Sequence, residues 1–212
     1  EKIIIENNKA IGVEYKNKNG ESLKQYANKE VILSSGSFIT PKILMLSGIG
    51  NEEELLKLDI KCIANLPGVG QNLIDHPECP IIARTNGKYG YFKQGEGWRM
   101  LKNGLQFLLF GTGPVNSTGV EAGAFINPIN EEDLSYIQAF FLPSMYMNSD
   151  TIGVVKDDYG VSITTVMTKP KSRGSVKLKS SNPNDMPVIE LNLLKHKDDL
   201  QMMMAGQRFF LK

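Results

Sequence analysis

Apolar positions along this chain recur in two rhythms, a period of two in short runs and a helical period in longer ones, and the two fall in different places. Ile3-Ile4-Ile5 and Ala10-Ile11-Gly12-Val13-Glu14-Tyr15 flank a polar Glu6-Asn7-Asn8-Lys9 turn, and Asn17 to Gly20 is a second turn, so the chain opens in β-hairpins. Glu30-Val31-Ile32-Leu33 is an apolar run with the character of a strand buried on both faces, and it stops at Ser34-Ser35-Gly36-Ser37. Thr40 then reads as a helix N-cap with Pro41 at the first helical position, followed by Ile43, Leu44 and Leu46 and closed by Gly48 and Gly50. A second helix is expected from Asn51 through Leu58, because Asn51 can cap and three glutamates meet the positive end of the helix dipole.

Ile60 to Ala64 is expected to be a short strand. Leu66 to Leu73 is expected to lack regular structure, since Pro67, Gly68 and Gly70 interrupt it. Beyond residue 86 glycines dominate around one helical stretch, Trp98 to Phe110. Glu121 to Ile126, Ile137 to Leu142, Val161 to Met167 and Ser175 to Leu178 then read as strands of an antiparallel sheet, and a last helix starts at His196.

Composition narrows the partners. With 24 Lys+Arg against 23 Asp+Glu spread along the sequence, a net charge of +1, the chain as a whole has no electrostatic footprint for nucleic acid or an anionic membrane. Its apolar runs are far shorter than the roughly 20 residues that span a bilayer. Cys62 and Cys79 fit one disulfide or two buried thiols equally well. No Cys/His spacing suggests zinc and no acidic loop suggests calcium.

Two stretches carry candidate chemistry. Small residues at Ser34, Ser35 and Gly36 let the backbone approach a ligand closely, with Thr40 capping the next helix, in the manner of a nucleotide-contact edge. The loop from Pro67 to Pro77 is a rigid cover in which Pro67 fixes φ, Gly68 and Gly70 permit conformations closed to other residues, and Asn72 and Asp75 can bond nearby backbone. His76 within it is of a residue type used as a general base. His196, between Lys195 and Lys197 and before Asp198, reads as a solvated helix start.

The fifteen residues Gly36-Ser37-Phe38-Ile39-Thr40-Pro41-Lys42-Ile43-Leu44-Met45-Leu46-Ser47-Gly48-Ile49-Gly50 resemble the second signature of the glucose-methanol-choline (GMC) oxidoreductases. Leu66 to Pro77 is similar to that family's stereotyped loop, and Pro170 to Val176, with Asn182-Pro183 and Pro187-Val188-Ile189, to the start of its C-terminal domain. Gly113-Pro114 and Glu121 to Phe125 are similar to the insect branch that contains glucose dehydrogenases.

The resemblance implies a mixed α/β chain: part of a Rossmann-type FAD-binding domain over 1–85, an intervening substrate-domain segment over 86–167, and the start of the antiparallel-sheet C-terminal domain over 168–212. It implies FAD as cofactor, held in part by Ser34, Ser35, Gly36, Thr40, Asn72, Asp75 and His76. Because that family's loop lies over the cofactor, the resemblance implies a structural or ligand-proximal role for His76. It also implies hydride transfer from an alcohol or sugar to flavin N5, with electrons passing to a quinone-like acceptor or oxygen. The family's Gly-rich phosphate loop is expected before Glu1, and its catalytic His with a second His or Asn beyond Lys212, so no catalytic residue is assigned here and this piece alone is expected to be inert. Secretion is compatible with the insect branch. A hydroxynitrile lyase of the same fold, or a non-catalytic binding protein derived from it, fits the same residues.

Overall fold

In the computed structural model, residues 1–146 and 158–212 are described; residues 147–157, which fall inside the expected 86–167 segment, lie outside them. In chain order the elements are β1 (Lys2–Glu6), β2 (Lys9–Lys16), β3 (Ser22–Tyr26), α1 (Gly36–Leu46), β4 (Ile49–Gly50), α2 (Glu52–Leu56), β5 (Ala64–Asn65), β6 (Gln71–Leu73), β7 (Glu78–Arg84), α3 (Gly97–Phe110), a 3₁₀ turn (Pro114–Asn116), β8 (Ala122–Ile126), β9 (Ile137–Leu142), β10 (Gly160–Met167), β11 (Gly174–Lys177), β12 (Val188–Glu190) and α4 (Lys197–Phe210). They form two compact units, neither continuous in sequence: Glu1–Asp75 with Ser172–Leu193, and His76–Lys171 with Leu194–Lys212.

The first unit opens with the antiparallel meander β1-β2-β3. Both turns are where the polar segments placed them, with Asn7 and Asn8 in the left-handed region that asparagine tolerates. The third strand, SLKQY, is exposed along its whole length, which is why no apolar rhythm announces it. Helix α1 is tied to this meander through Ser47, whose hydroxyl donates to the Ile43 carbonyl at 2.6 Å and accepts the Ile3 amide at 2.8 Å. Gly48, at φ 83°, turns the chain out of α1 where a side chain would meet the Lys61 carbonyl at 2.5 Å. Asn51 caps α2 as expected, its Oδ1 accepting the Glu54 amide at 3.1 Å. Met45, Leu55 and Val176 are the buried apolar residues of this unit.

Four expectations for this unit are corrected. Val31 to Leu33 form no strand; Ile32 is 78% exposed, and no strand among the described residues pairs with this run, so its apolar character alone cannot make it one. Helix α1 begins five residues before Pro41, with Ser35 rather than Thr40 at its N-cap, and Pro41 lies within it. The strand expected over Ile60 to Ala64 is confined to Ala64–Asn65, parallel to Ile49–Gly50. The loop after Pro67 does contain regular structure, because Gln71–Leu73 pairs with β11, giving a sheet β12-β11-β6. That pairing removes β11 from the sheet of β8, β9 and β10 to which its sequence had joined it.

The second unit is a four-stranded antiparallel sheet in the order β7-β10-β9-β8. Helix α4 lies on one of its faces, and Ile137, Met167 and Met203 form the buried core between them, joined by the half-buried Cys79, Ile126, Leu194 and Met202. The approach is close at Gly206, where an added methyl would stand 3.2 Å from the Ile137 side chain. Gln207 crosses from the helix to the sheet, its amide donating to the Cys79 carbonyl at 2.8 Å and to the Thr165 hydroxyl. Strand β7 was not foreseen, because Pro80 sits inside it. As an edge strand paired only with β10 it tolerates a residue without an N–H. Cys62 and Cys79 are both free thiols.

Candidate functional site

The residues singled out in the sequence fall into two groups, one at the start of α1 and one around the Asp75-His76 step. Ser34, Ser35 and Gly36 are exposed, and Thr40 is half-buried. They do not end a strand. Instead Gly36, at φ 84°, bends the chain into α1, a conformation that would strain most other residues. The space in front of it is open: a β-carbon there would meet nothing within 4 Å. Thr40 does contribute to the start of the helix, in an unexpected way. Its hydroxyl accepts the Ser35 amide at 3.0 Å, satisfying the N-cap residue from inside the helix. The result is an accessible helix N-terminus of an eleven-residue helix, opened by a glycine and supported by a threonine.

The second group runs along the chain from Asn72 to His76. Asn72 lies in β6 with φ 58° and an exposed side chain, so the loop is held by main chain rather than by that amide. The Val69 amide donates to Leu66, the Gln71 amide to Gly68, and the Val176 amide to Gly70 at 2.7 Å. Gly70 makes the last contact possible, because a β-carbon there would stand 2.2 Å from the Val176 carbonyl oxygen. Asp75 ends the first unit and His76 opens the second, both exposed. The buried Pro77 then anchors the start of β7, its carbonyl accepting the Met167 amide at 3.0 Å.

His196 is the N-cap of α4, its Nδ1 accepting the Asp198 amide at 3.3 Å, in keeping with a solvated helix start.

Two polar arrangements were not singled out beforehand. Tyr91 and Ser117 both donate hydroxyl hydrogens to Glu121 Oε1. These bonds hold the Glu121 carboxyl below its usual range, Ser117 contributing most, and Glu121 pushes the Tyr91 phenol above its own. Only the Glu121 end had a sequence signal, as the first residue of an expected strand. The other is a cleft of about 690 Å³ beside β1, lined by Ile3, Ile5, Lys16, Ser47 and Lys61 among others, which includes none of the residues expected to bind a ligand. Among the described residues no group of three or more His, Cys, Asp or Glu side chains could hold a metal, and no helix is long and apolar enough to cross a membrane.

Known families match this chain towards both of its ends. Residues 1–78 and 170–212 each match a GMC oxidoreductase family model. Human mitochondrial choline dehydrogenase is 38% identical over 200 residues, 94% of this chain and 33% of that protein. An alcohol dehydrogenase [acceptor] of Pseudomonas putida is 35% identical over 210 residues, 97% of this chain and 37% of that protein. The chain therefore spans about a third of the length of the curated relatives it matches. Among solved structures, formate oxidase from Aspergillus oryzae RIB40, described for its FAD modification, superposes with a TM-score of 0.82 at 27% identity, over 98% of this chain and 41% of that one. Two family models in the expected order, and relatives aligned across nearly the whole chain, make this chain a member of the GMC oxidoreductase family.

Proposed function

We propose that this chain is the central part of an FAD-dependent oxidoreductase acting on the CH–OH group of an alcohol or sugar. The observation that carries the reading is the accessible start of α1, opened by Gly36, within the stretch that the family model covers. FAD suits it: an exposed backbone at a helix N-terminus offers partial positive charge to an anionic or polar edge, and the missing β-carbon leaves room for a close approach. When bound, FAD supplies the acceptor for a hydride leaving the carbinol carbon.

This chain's own contribution is binding and positioning. Ser34, Ser35 and Gly36 present backbone to the cofactor, Thr40 fixes the Ser35 amide, and the main-chain-braced loop carrying Asn72, Asp75 and His76 covers it. In this reading His76 is a cover residue and the proton-transfer groups belong to the remainder of the full-length protein. Residues 1–85 are assigned to the FAD domain, 86–167 to an intervening substrate segment and 168–212 to the start of the C-terminal domain. The relatives' names span choline, alcohol and formate as donors, and acceptor- and oxygen-dependent forms. The donor here is accordingly assigned only as an alcohol or sugar, and the acceptor as a quinone or oxygen.

The test is anaerobic flavin bleaching of the full-length protein with choline, glucose, and primary and aryl alcohols, alongside a cyanohydrin-cleavage assay. Bleaching by at least one donor is expected. A flavin that stays oxidised with every donor, while cyanide is released from a cyanohydrin, would assign the lyase chemistry instead.

A further inference from the structure

Helix α3 faces the wrong way for a helix that serves a protein core. Its buried residue is Asn103, 6% exposed, whose amide donates to the Gln94 carbonyl at 2.9 Å and to Gln94 Oε1 at 3.1 Å. Its large apolar residues point outward. Trp98, Leu101, Leu105 and Leu108 follow one another at helical spacings of three, four and three, with Leu109 beside them, and are 69%, 71%, 58%, 80% and 64% exposed. A continuous outward stripe of this kind marks an interaction face.

Charge indicates the partner. Between residues 84 and 121 the sequence carries five cations (Arg84, Lys88, Lys93, Arg99 and Lys102) and two carboxylates, Glu96 and Glu121, in a chain whose total is only +1. The near-neutral balance of the whole chain hides this local excess. The Lys102 ammonium stands 5.7 Å from the centre of the Trp98 ring, at the edge of the stripe, and Tyr89 is 65% exposed nearby in sequence. A leucine and tryptophan stripe, with Met100 and Phe110 exposed beside it, lysine at its margin and no carboxylate within the helix are the features of a helix that lies in a lipid interface. Spanning is excluded by length, since 14 residues rise about 21 Å against a hydrocarbon core of about 30 Å. A second copy of the chain is a poorer match, because pairing two such stripes would bring two Lys102 ammonium groups to one seam with no carboxylate in either helix to neutralise them.

We infer that α3 docks this protein on an anionic membrane surface, with Trp98, Leu101, Leu105, Leu108 and Leu109 entering the headgroup boundary and Lys102 meeting lipid phosphate. The inference is independent of the redox reading. It is tested by sedimentation of the full-length protein with phosphatidylcholine vesicles, with and without phosphatidylglycerol. Binding to the anionic vesicles is expected, weakening with salt, together with a quenching of fluorescence by brominated lipid that is reduced in Trp98→Phe. Leu105→Glu should abolish binding. Lys102→Glu, a change at an exposed position that leaves the fold intact, should lower partitioning roughly tenfold or more. Failure to bind either vesicle, or binding that both variants leave unchanged, overturns the inference. So does a soluble dimer that Leu105→Glu dissociates without any vesicle binding, which would assign the stripe to a second copy.

Discussion

The hydroxyl of Thr40 accepts the amide hydrogen of Ser35 from within the same helix, across five residues and at 3.0 Å. An N-cap amide is one of the donors a helix leaves without an intrahelical partner, and here a residue of the second turn supplies the acceptor. Thr40→Ala should therefore destabilise the start of α1 by about 1 kcal/mol, the usual net worth of one hydrogen bond, and Thr40→Ser should restore it. Thermal unfolding of the two variants checks this; equal stability of both would mean that the hydroxyl bond contributes nothing.

Gly36 separates conformation from space. Its φ of 84° penalises most side chains, but nothing within 4 Å in this chain would touch a β-carbon. Gly36→Asn, which tolerates a left-handed backbone, should fold with nearly wild-type stability and still lose flavin from the full-length protein. Flavin content measured by absorbance after gel filtration decides it; full occupancy in Gly36→Asn would remove this position from the cofactor site.

His76→Ala distinguishes a cover residue from a base. A cover role predicts that flavin retention falls at least as much as the rate of flavin reduction. Intact occupancy with a reduction rate about 10²–10⁴ lower would instead make His76 the general base.

Gly70 is required by the β6–β11 junction. Gly70→Ala sets a methyl group 2.2 Å from the Val176 carbonyl oxygen, at a φ of 78°, and is expected to lose about 2–4 kcal/mol in urea unfolding. Gly68→Ala, where a β-carbon meets nothing within 4 Å, is the control and should change stability by less than about 0.5 kcal/mol.

Lys171 and Asp198 set a pH window for the join between the β10–β11 turn and α4. Their 2.7 Å ion pair holds the Asp198 carboxyl below its ordinary value and the Lys171 ammonium above its own, with His196 Nδ1 3.8 Å from the same carboxylate. A lowered carboxyl stabilises the fold above the ordinary carboxylate range and loses this effect as pH falls through the lowered value. A raised ammonium stabilises it below the ordinary lysine range and loses this effect as pH rises through the raised value. Stability should thus have a plateau between the two ranges, small because both groups are exposed, and flattened by salt or by Asp198→Asn. Tm measured against pH at two ionic strengths tests this.

What could be read in advance follows from how local each signal is. Trp98 to Phe110 and Ile137 to Leu142 became α3 and β9 almost residue for residue, and Asn51 capped α2, because period and cap chemistry act within one or two turns. The start of α1 was misplaced because Thr40-Pro41 has the local chemistry of a helix start; only the structure shows that Gly36 has already turned the chain. Strand β7 was hidden by Pro80, whose tolerance depends on being at a sheet edge, and β6 by glycines that only its pairing with β11 explains. Of the candidate site, the glycine and small residues were legible from the sequence, but the bracing was not. The Thr40 bond and the Gly70–Val176 contact both depend on where the backbone goes.

The sheet of β6, β11 and β12 has a consequence in time. Gln71 faces Ser175 and Leu73 faces Gly174, so the two sides of one ladder leave the ribosome about a hundred residues apart. At ordinary rates of translation that is a wait of about 5–20 s, during which nearly the whole strand set of the other unit emerges. Until β11 arrives, β6 has an open edge and α1, which carries the buried Met45, lacks a strand it packs against. The nascent chain therefore presents that open edge from the emergence of Leu73 to that of Lys177, the interval in which pairing with another chain competes with the correct ladder.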